Sequence, residues 1–242
     1  MKKYLPDLLT LLNLLCGVCA AILALWGWFW QGFCLILAGA VFDLCDGALA
    51  RLLGVSSQMG RELDSLSDLI SFGLAPALML FAWYFKINCN DTPQILAFVP
   101  LLIVPFSAIR LARFNLEESG DSYFTGLPTP ACAMLAASLV AYGHCCTVAG
   151  AESLVVNLLR SGWFIPVLSA VLCILLVSRI KMLSLKGKIS AKHYILAGGA
   201  LLFVAAIALV APRGIAAAGY IALFLAMLFT AYILLAIVAP KK

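Results

Sequence analysis

Charge is what this sequence has least of. Only 11% of its 242 residues are Asp, Glu, Lys or Arg, and histidine occurs twice. A soluble globular domain carries about 25% charged residues, so that class is excluded. With 64% hydrophobic residues and a mean hydropathy of +1.09, the composition is that of an integral membrane protein. The two histidines, His144 and His193, stand far from most of the acids, and no His or Cys joins them at a workable ligand spacing, which argues against zinc. The net charge of +5 is spread over the ends of apolar segments without an aromatic stacking platform, so nucleic acid is not an expected partner. The opening run MKKYLPDLLTLLNLLCGV lacks an A-x-A-like cleavage site and reads as a retained first span rather than a signal peptide. Cysteine is not scarce, but Cys16 and Cys19 form their CxxC inside an apolar helix with no His nearby, where they read as small packing residues. Cys89, Cys145 and Cys146 fall near the outer face, and nothing specifies a pairing.

What the sequence does have is long apolar runs. A transmembrane helix needs about 20 mostly apolar residues. Eight candidates are present, at 8–30, 32–51, 64–85, 94–113, 129–148, 159–178, 193–211 and 215–238. The first two are divided by a tight turn at Trp30-Gln31-Gly32, and the sixth is the weakest as an apolar run because it begins with the polar RSGWF. Lys and Arg favour cytoplasmic loops. With the N-terminus inside, only Lys86, Arg160 and Arg213 of the 16 Lys and Arg fall outside. The expected fold is therefore all-α and polytopic, with about eight spans and both termini cytoplasmic. Trp26, Trp28, Trp30 and Trp163 gather at the outer interface, where amphipathic rings belong.

Against this background four aspartates stand out. Asp43 and Asp46 are three residues apart on the second predicted helix, and Asp64 and Asp68 four apart on the third. Both spacings put the pair on one helical face. The short connection makes the two helices antiparallel, so all four carboxylates converge just below the cytoplasmic surface. Charged residues inside spans usually mark a functional site. Four carboxylates in a low dielectric need cations or protons, and hard oxygen ligands suit Mg²⁺, Mn²⁺ or Ca²⁺. Two such ions form the usual clamp for displacement at phosphorus. The plain alternative is a salt-bridged cluster, but Arg51 and Arg61 cannot neutralise five acids once Glu62 is counted. A cation or proton transporter is a second functional reading. Gly47, Ala48, Ala50 and Gly60 leave room for a bulky ligand, and Arg51 suits an anionic one such as a nucleotide diphosphate. An ion site needs no such slot. A transporter would also show polar residues in its later spans and related halves. Spans four to eight hold almost no acids, and no internal repeat is found.

The pattern Asp43-x2-Asp46-Gly47-x2-Ala50-Arg51-x8-Gly60-x3-Asp64-x3-Asp68 resembles the signature of the CDP-alcohol phosphotransferase family at every fixed position. The resemblance implies a membrane enzyme that displaces CMP from a CDP-linked lipid or alcohol with the hydroxyl of a second substrate. It implies that Asp43, Asp46, Asp64 and Asp68 ligate divalent metal, Mg²⁺ or Mn²⁺ with Ca²⁺ as a further option, as two ions. It implies that Gly47, Ala50, Arg51 and Gly60 line the nucleotide and its phosphates, and that Asp68 is also the general base. It further implies a catalytic core over residues 1–192, followed by two C-terminal spans over 193–242, and a homodimer, for which the sequence itself shows no motif.

The acceptor must be read elsewhere. RLARFN and FTGLPTPA in the loop 107–131, TLLNLLCG in the first helix and VSRIKMLSLK at 177–186 resemble the phosphatidylserine synthase branch of that family. This implies CDP-diacylglycerol as donor and L-serine as acceptor, in a bacterial-type cytoplasmic membrane with the active site at the cytoplasmic face. The residues agree less specifically. Arg110 and Arg113 are suited to an acceptor's carboxylate or phosphate, or to plain anchoring at the cytoplasmic side. Asn115, Glu117, Glu118 and Asp121 are candidates for the serine ammonium, with Asn115 placed beside the arginines in the acceptor set. Glycerol 3-phosphate or an inositol phosphate remain alternative acceptors, as does an ether-linked donor. GLPTP at 126–130 is either a helix boundary or a rigid wall of the acceptor pocket. The basic linker 179–192 is either a solvated cytoplasmic loop or an attractor of anionic lipid.

Overall fold

The computed structural model describes residues 4–55, 57–87, 93–117, 126–178 and 214–238. Among them every regular element is helical. Helices α1 (Leu5–Leu25) and α2 (Phe29–Leu53) form an antiparallel pair. The third span is composite: α3 (Gln58–Asp68), a π-helical segment (Leu69–Leu74) and α4 (Ala75–Ile87). The fourth begins as a 3₁₀ helix (Gln94–Leu102) and continues as α5 (Ile103–Glu117). Then come α6 (Thr129–Ala149), α7 (Leu154–Arg160), α8 (Phe164–Val177) and α9 (Ile215–Val238).

Among the described residues, five helical stretches are long and apolar enough to cross a membrane: Leu5–Leu25, Phe29–Leu53, Gln58–Ile87, Gln94–Leu116 and Thr129–Ala149. They lie where the first five spans are expected. The chain is an integral, multi-pass membrane protein. The sixth expected span is not one straight helix. Between α7 and α8 the chain bends by 89°, within the polar RSGWF, where Ser161 leaves helical conformation at ψ 129°. The 14 residues of α8 rise about 21 Å, short of a hydrocarbon core of about 30 Å. The expected span 193–211, His193 and the linker 179–192 lie outside the described residues, as do Cys89, Glu118 and Asp121. The eight described cysteines are free.

The turn between the first two spans also differs from expectation. It is at Trp26-Gly27-Trp28, where Gly27 has φ +78°. Gly32, in the first turns of α2, serves packing instead: a Cβ there would stand 3.3 Å from the Ala20 carbonyl oxygen.

The helices are inverted relative to those of a soluble protein. The buried residues of α1 are Pro6, Thr10, Asn13, Gly17, Ala20, Ala21 and Ala24. Leu8, Leu11, Leu15, Val18, Ile22 and Leu25 are exposed. Lipid takes the large side chains, and the small face lets backbones approach. The third span uses that approach. Ser67 Oγ donates to the Thr10 carbonyl at 3.0 Å and Ser71 Oγ to the Asn13 carbonyl at 2.8 Å. Both serines are fully buried and four residues apart, so they face α1 from successive turns. A Cβ on Gly17 would come 2.6 Å from Ser71 Cα, so only glycine fits. Helix α6 is the most enclosed of the spans, and α9 runs along it.

This contact yields a stability prediction. Gly17→Val should destabilise the protein by roughly 1–3 kcal/mol or more, the usual penalty of overpacking. The lipid-facing Val18→Ala, one residue on, should leave it nearly unchanged. Thermal unfolding in detergent compares them, and equal midpoints would refute the tight α1 contact.

Candidate active site

The end of α2 and the start of α3 are held together by local backbone chemistry. Gly54 closes α2 in the left-handed conformation at φ +62°, and Val55 N–H donates to the Ala50 carbonyl at 3.1 Å. Ser57 then caps α3, its Oγ accepting from Gly60 N–H at 2.9 Å. The reversal takes few residues, so the last turns of α2 and the first turns of α3 occupy one end of the bundle. That end carries Arg51, Arg61, Arg110 and Arg113, while Lys86 and Arg160 lie at the ends of helices running to the other side.

Carboxylate oxygens of Asp43, Asp64 and Asp68 lie within 4.8 Å of one another. At an effective dielectric near 20, two carboxylates at such a distance repel by roughly 3–4 kcal/mol. Asp68 Oδ1 is buried with no hydrogen-bond partner among the described residues. A buried carboxylate oxygen left bare beside two further carboxylates is the donor set of a hard divalent cation. The residues therefore fit a metal by chemistry as well as by spacing. Asp46 stands within electrostatic range of Asp64 and Asp68 but is engaged differently. It is 6% exposed, and its Oδ2 accepts the Thr10 hydroxyl at 2.6 Å. That bond fixes the Asp46 rotamer from α1.

The small residues divide by role. A Cβ built on Gly47 meets nothing nearer than Arg51 Nη1 at 3.6 Å. Glycine within a helix costs roughly 0.5–1 kcal/mol relative to alanine, and no neighbour among the described residues requires it here. The space beside Gly47, under the exposed Arg51 guanidinium, is open. At Gly60 a Cβ would come within 3.0 Å of Ser57 Oγ and 3.1 Å of Asp7 Oδ1, so this glycine first serves the fit of α3 against α1. Ala50, half-buried, lies one turn from both Gly47 and Gly54.

The three predicted acceptor residues separate. Arg110 points inward, within electrostatic range of Asp68, and its Nη1 donates to Thr129 Oγ1 at 3.0 Å. Asn115 Nδ2 donates at 2.9 Å to the hydroxyl of Ser65, the neighbour of Asp64. Beside it a small polar cavity of about 150 Å³ is lined by Gln58, Arg61, Glu62 and Asn115. Arg113 does not join the acids: it is exposed and reaches the Val177 carbonyl at the end of α8, at 3.3 Å. The same helix end receives the GLPTP segment. Gly126 adopts φ +82°, and Leu127 N–H donates to the Leu175 carbonyl at 3.0 Å. That docking starts α6 at Thr129, fully buried against Arg110.

The sequence reading missed Thr10, Ser67, Ser71 and Thr129. A signal for the first existed. Thr10, Asn13 and Gly17 fall at i, i+3 and i+7 in an otherwise leucine-rich helix, a polar and small stripe that marks a contact face. His144 packs edge-on against Phe29 and Trp83.

Known proteins bear on this arrangement. A sequence model described as CDP-alcohol phosphatidyltransferase matches residues 3–158. A CDP-diacylglycerol–serine O-phosphatidyltransferase of Mycobacterium leprae is 34% identical over 217 residues, covering 86% of this chain and 66% of that protein. An archaetidylserine synthase of Methanothermobacter thermautotrophicus is 38% identical over 141 residues, 57% of this chain and 58% of its own length. A CDP-diacylglycerol–serine O-phosphatidyltransferase of Helicobacter pylori is 39% identical over 132 residues, 54% of each. The chain thus spans between about half and two thirds of these relatives. The matched region holds all four aspartates and both glycines of the acidic end, and the chain belongs to the CDP-alcohol phosphatidyltransferase family.

Proposed function

We propose that the protein transfers the phosphatidyl group of CDP-diacylglycerol to the hydroxyl of L-serine, giving phosphatidylserine and CMP. The observation that carries this reading is the convergence of the Asp43, Asp64 and Asp68 oxygens within 4.8 Å in a chain of this family. The acceptor reading is supported by relatives whose names all specify a serine lipid. Divalent metal use fits the family and the acidic cluster. Asp43, Asp46, Asp64 and Asp68 would hold it, as two ions of Mg²⁺ or Mn²⁺. When bound, such ions supply positive charge to the diphosphate and to the leaving CMP.

The chain's own residues do the rest. The open space beside Gly47 admits the diphosphate, and Arg51 lies over it as a charge partner, with Ala50 and Gly60 keeping the wall low. Asp68, whose Oδ1 has no hydrogen-bond partner among the described residues, accepts the proton of the serine hydroxyl. The serine oxygen forms a bond to the diacylglycerol-bearing phosphorus while the bond from that phosphorus to the CMP oxygen breaks. Arg110 and Asn115 orient the acceptor from α5. Arg113, tied to α8, supports that wall rather than the substrate. Grouping of Arg51, Arg61, Arg110 and Arg113 at the acidic end supports a cytoplasmic active site. Eight spans with both termini inside, and a homodimer, belong to the same proposal.

Purified protein in detergent, given CDP-diacylglycerol, Mg²⁺ or Mn²⁺ and an equal mixture of serine, glycerol 3-phosphate, inositol and inositol phosphate, should form phosphatidylserine and CMP. Asp68→Asn should lower turnover by about 10²–10⁴-fold, the usual worth of a general base. A different lipid product would overturn the acceptor. Absence of CMP with every acceptor would favour an ion-transport role, to be checked by flux into liposomes.

Thr10→Val removes the hydroxyl from Asp46 at constant shape. It should weaken Mn²⁺ binding about 10-fold, in the range usual for a group that orients a metal ligand, while Thr10→Ser restores it. Electron paramagnetic resonance titration of Mn²⁺ checks this without turnover. Unchanged affinity in Thr10→Val would remove Asp46 orientation from the account.

A further inference from the structure

The family match ends at residue 158, yet α9, beyond it, reaches the acceptor side of the site. Its register on α6 is fixed at the far end, where a Cβ on Gly219 would stand 3.0 Å from Cys145 Cβ. Thirteen residues further along α9 is Tyr232, and thirteen residues back along α6 is Cys132. Both steps cover about 20 Å along a helix, so the two helices run antiparallel and Tyr232 comes level with Cys132. Cys132 is three residues from Thr129, which receives Arg110. The register therefore brings Tyr232 to Arg110, and the two side chains are within electrostatic range of each other.

Both carry an unused polar atom. Arg110 Nε and Tyr232 Oη are buried and make no hydrogen bond among the described residues. Arg110 Nη1 is already spent on Thr129, and Asp68 is within electrostatic range of the guanidinium. An Nε–H and a phenolic O–H are thus two buried donors without a partner on neighbouring side chains, and an acceptor oxygen satisfies either. A neutral ligand would bring the buried guanidinium no countercharge of its own. A carboxylate satisfies charge and donors together.

The geometry points to Tyr232 as an acceptor-binding residue: with Arg110 it forms a subsite for the carboxylate of the amino-acid acceptor, so the last helix completes the active site. The inference rests on serine being the acceptor in the proposed function. It places the carboxylate of serine against α5 and α9, with its hydroxyl towards Asp68. It also draws residues beyond 192 into the catalytic unit that the sequence reading closed there.

Tyr232→Phe keeps the ring and removes only the hydroxyl, so the helix packing survives. In CMP-release assays on the full chain in detergent, it should raise KM for L-serine about tenfold, the worth of one hydrogen bond to a charged group. Its kcat and its KM for CDP-diacylglycerol should stay within about twofold. The exposed Tyr220 of the same helix gives the control, Tyr220→Phe, which should change nothing. Ethanolamine, which lacks the carboxylate, tests the chemistry: wild type should prefer serine strongly, and Tyr232→Phe should narrow that preference. An unchanged serine KM, or equal shifts for serine and CDP-diacylglycerol, overturns the assignment. Wild-type CMP release with glycerol 3-phosphate and not serine overturns the serine reading. The subsite itself is then upheld if Tyr232→Phe raises KM for glycerol 3-phosphate alone, and overturned if it does not.

Discussion

Like charges held close in a poorly polarisable medium set the terms for this protein. Asp43, Asp64 and Asp68 bring their oxygens within 4.8 Å at one end of a membrane bundle, and the repulsion of Asp43 by the other two pushes α2 and α3 apart. The bundle must be strong where the carboxylates stand. Its answer is α1. That helix turns a face of Thr10, Asn13, Gly17 and alanines inward and takes hydrogen bonds from Ser67 and Ser71 on the span that carries two of the acids. It also gives one to Asp46 on the other. The first helix bears no metal-ligand candidate, yet both acid-bearing helices are held to it.

A second set of ties builds the opposite wall. Arg110 bonds Thr129, Leu127 bonds the end of α8, and Arg113 bonds the same helix end two residues further on. The GLPTP segment is thus a helix boundary, and it docks on the end of α8. Proline at positions 128 and 130 stops the preceding chain from continuing as helix, and Gly126 supplies the left-handed turn that places Leu127 against α8.

Much of this was legible in the sequence because membrane chemistry leaves strong marks. Long apolar runs located the first five spans, and aspartates three and four residues apart in such runs could only share a face. The polar RSGWF marked the sixth run as the weakest of the eight, but the bend before α8 was not foreseen. What stayed hidden depends on pairs far apart in sequence. The stripe of Thr10, Asn13 and Gly17 marks a contact face, but nothing local says that the Thr10 hydroxyl meets Asp46, 36 residues away. Likewise Gly32 looked like a turn residue because glycine serves turns and close packing alike, and only the position of Ala20 decides between them. Arg110 and Arg113 looked like a pair by spacing, but the partners offered by Thr129 and Val177 send them different ways.

The π-helical segment Leu69–Leu74 begins at the residue after Asp68. A π turn takes one more residue than an α turn. Everything beyond it is therefore rotated by about 100° relative to an unbroken α-helix, since that is the angular step of one residue. The acid half of the span and its far half, with Trp83 and Tyr84 in the core, are out of phase. The face that carries the acids is consequently set independently of the face that the far half turns to its neighbours α1 and α6. Substitutions that retune packing in the far half need not turn the carboxylates, and the two ends of one helix are free to diverge on separate courses.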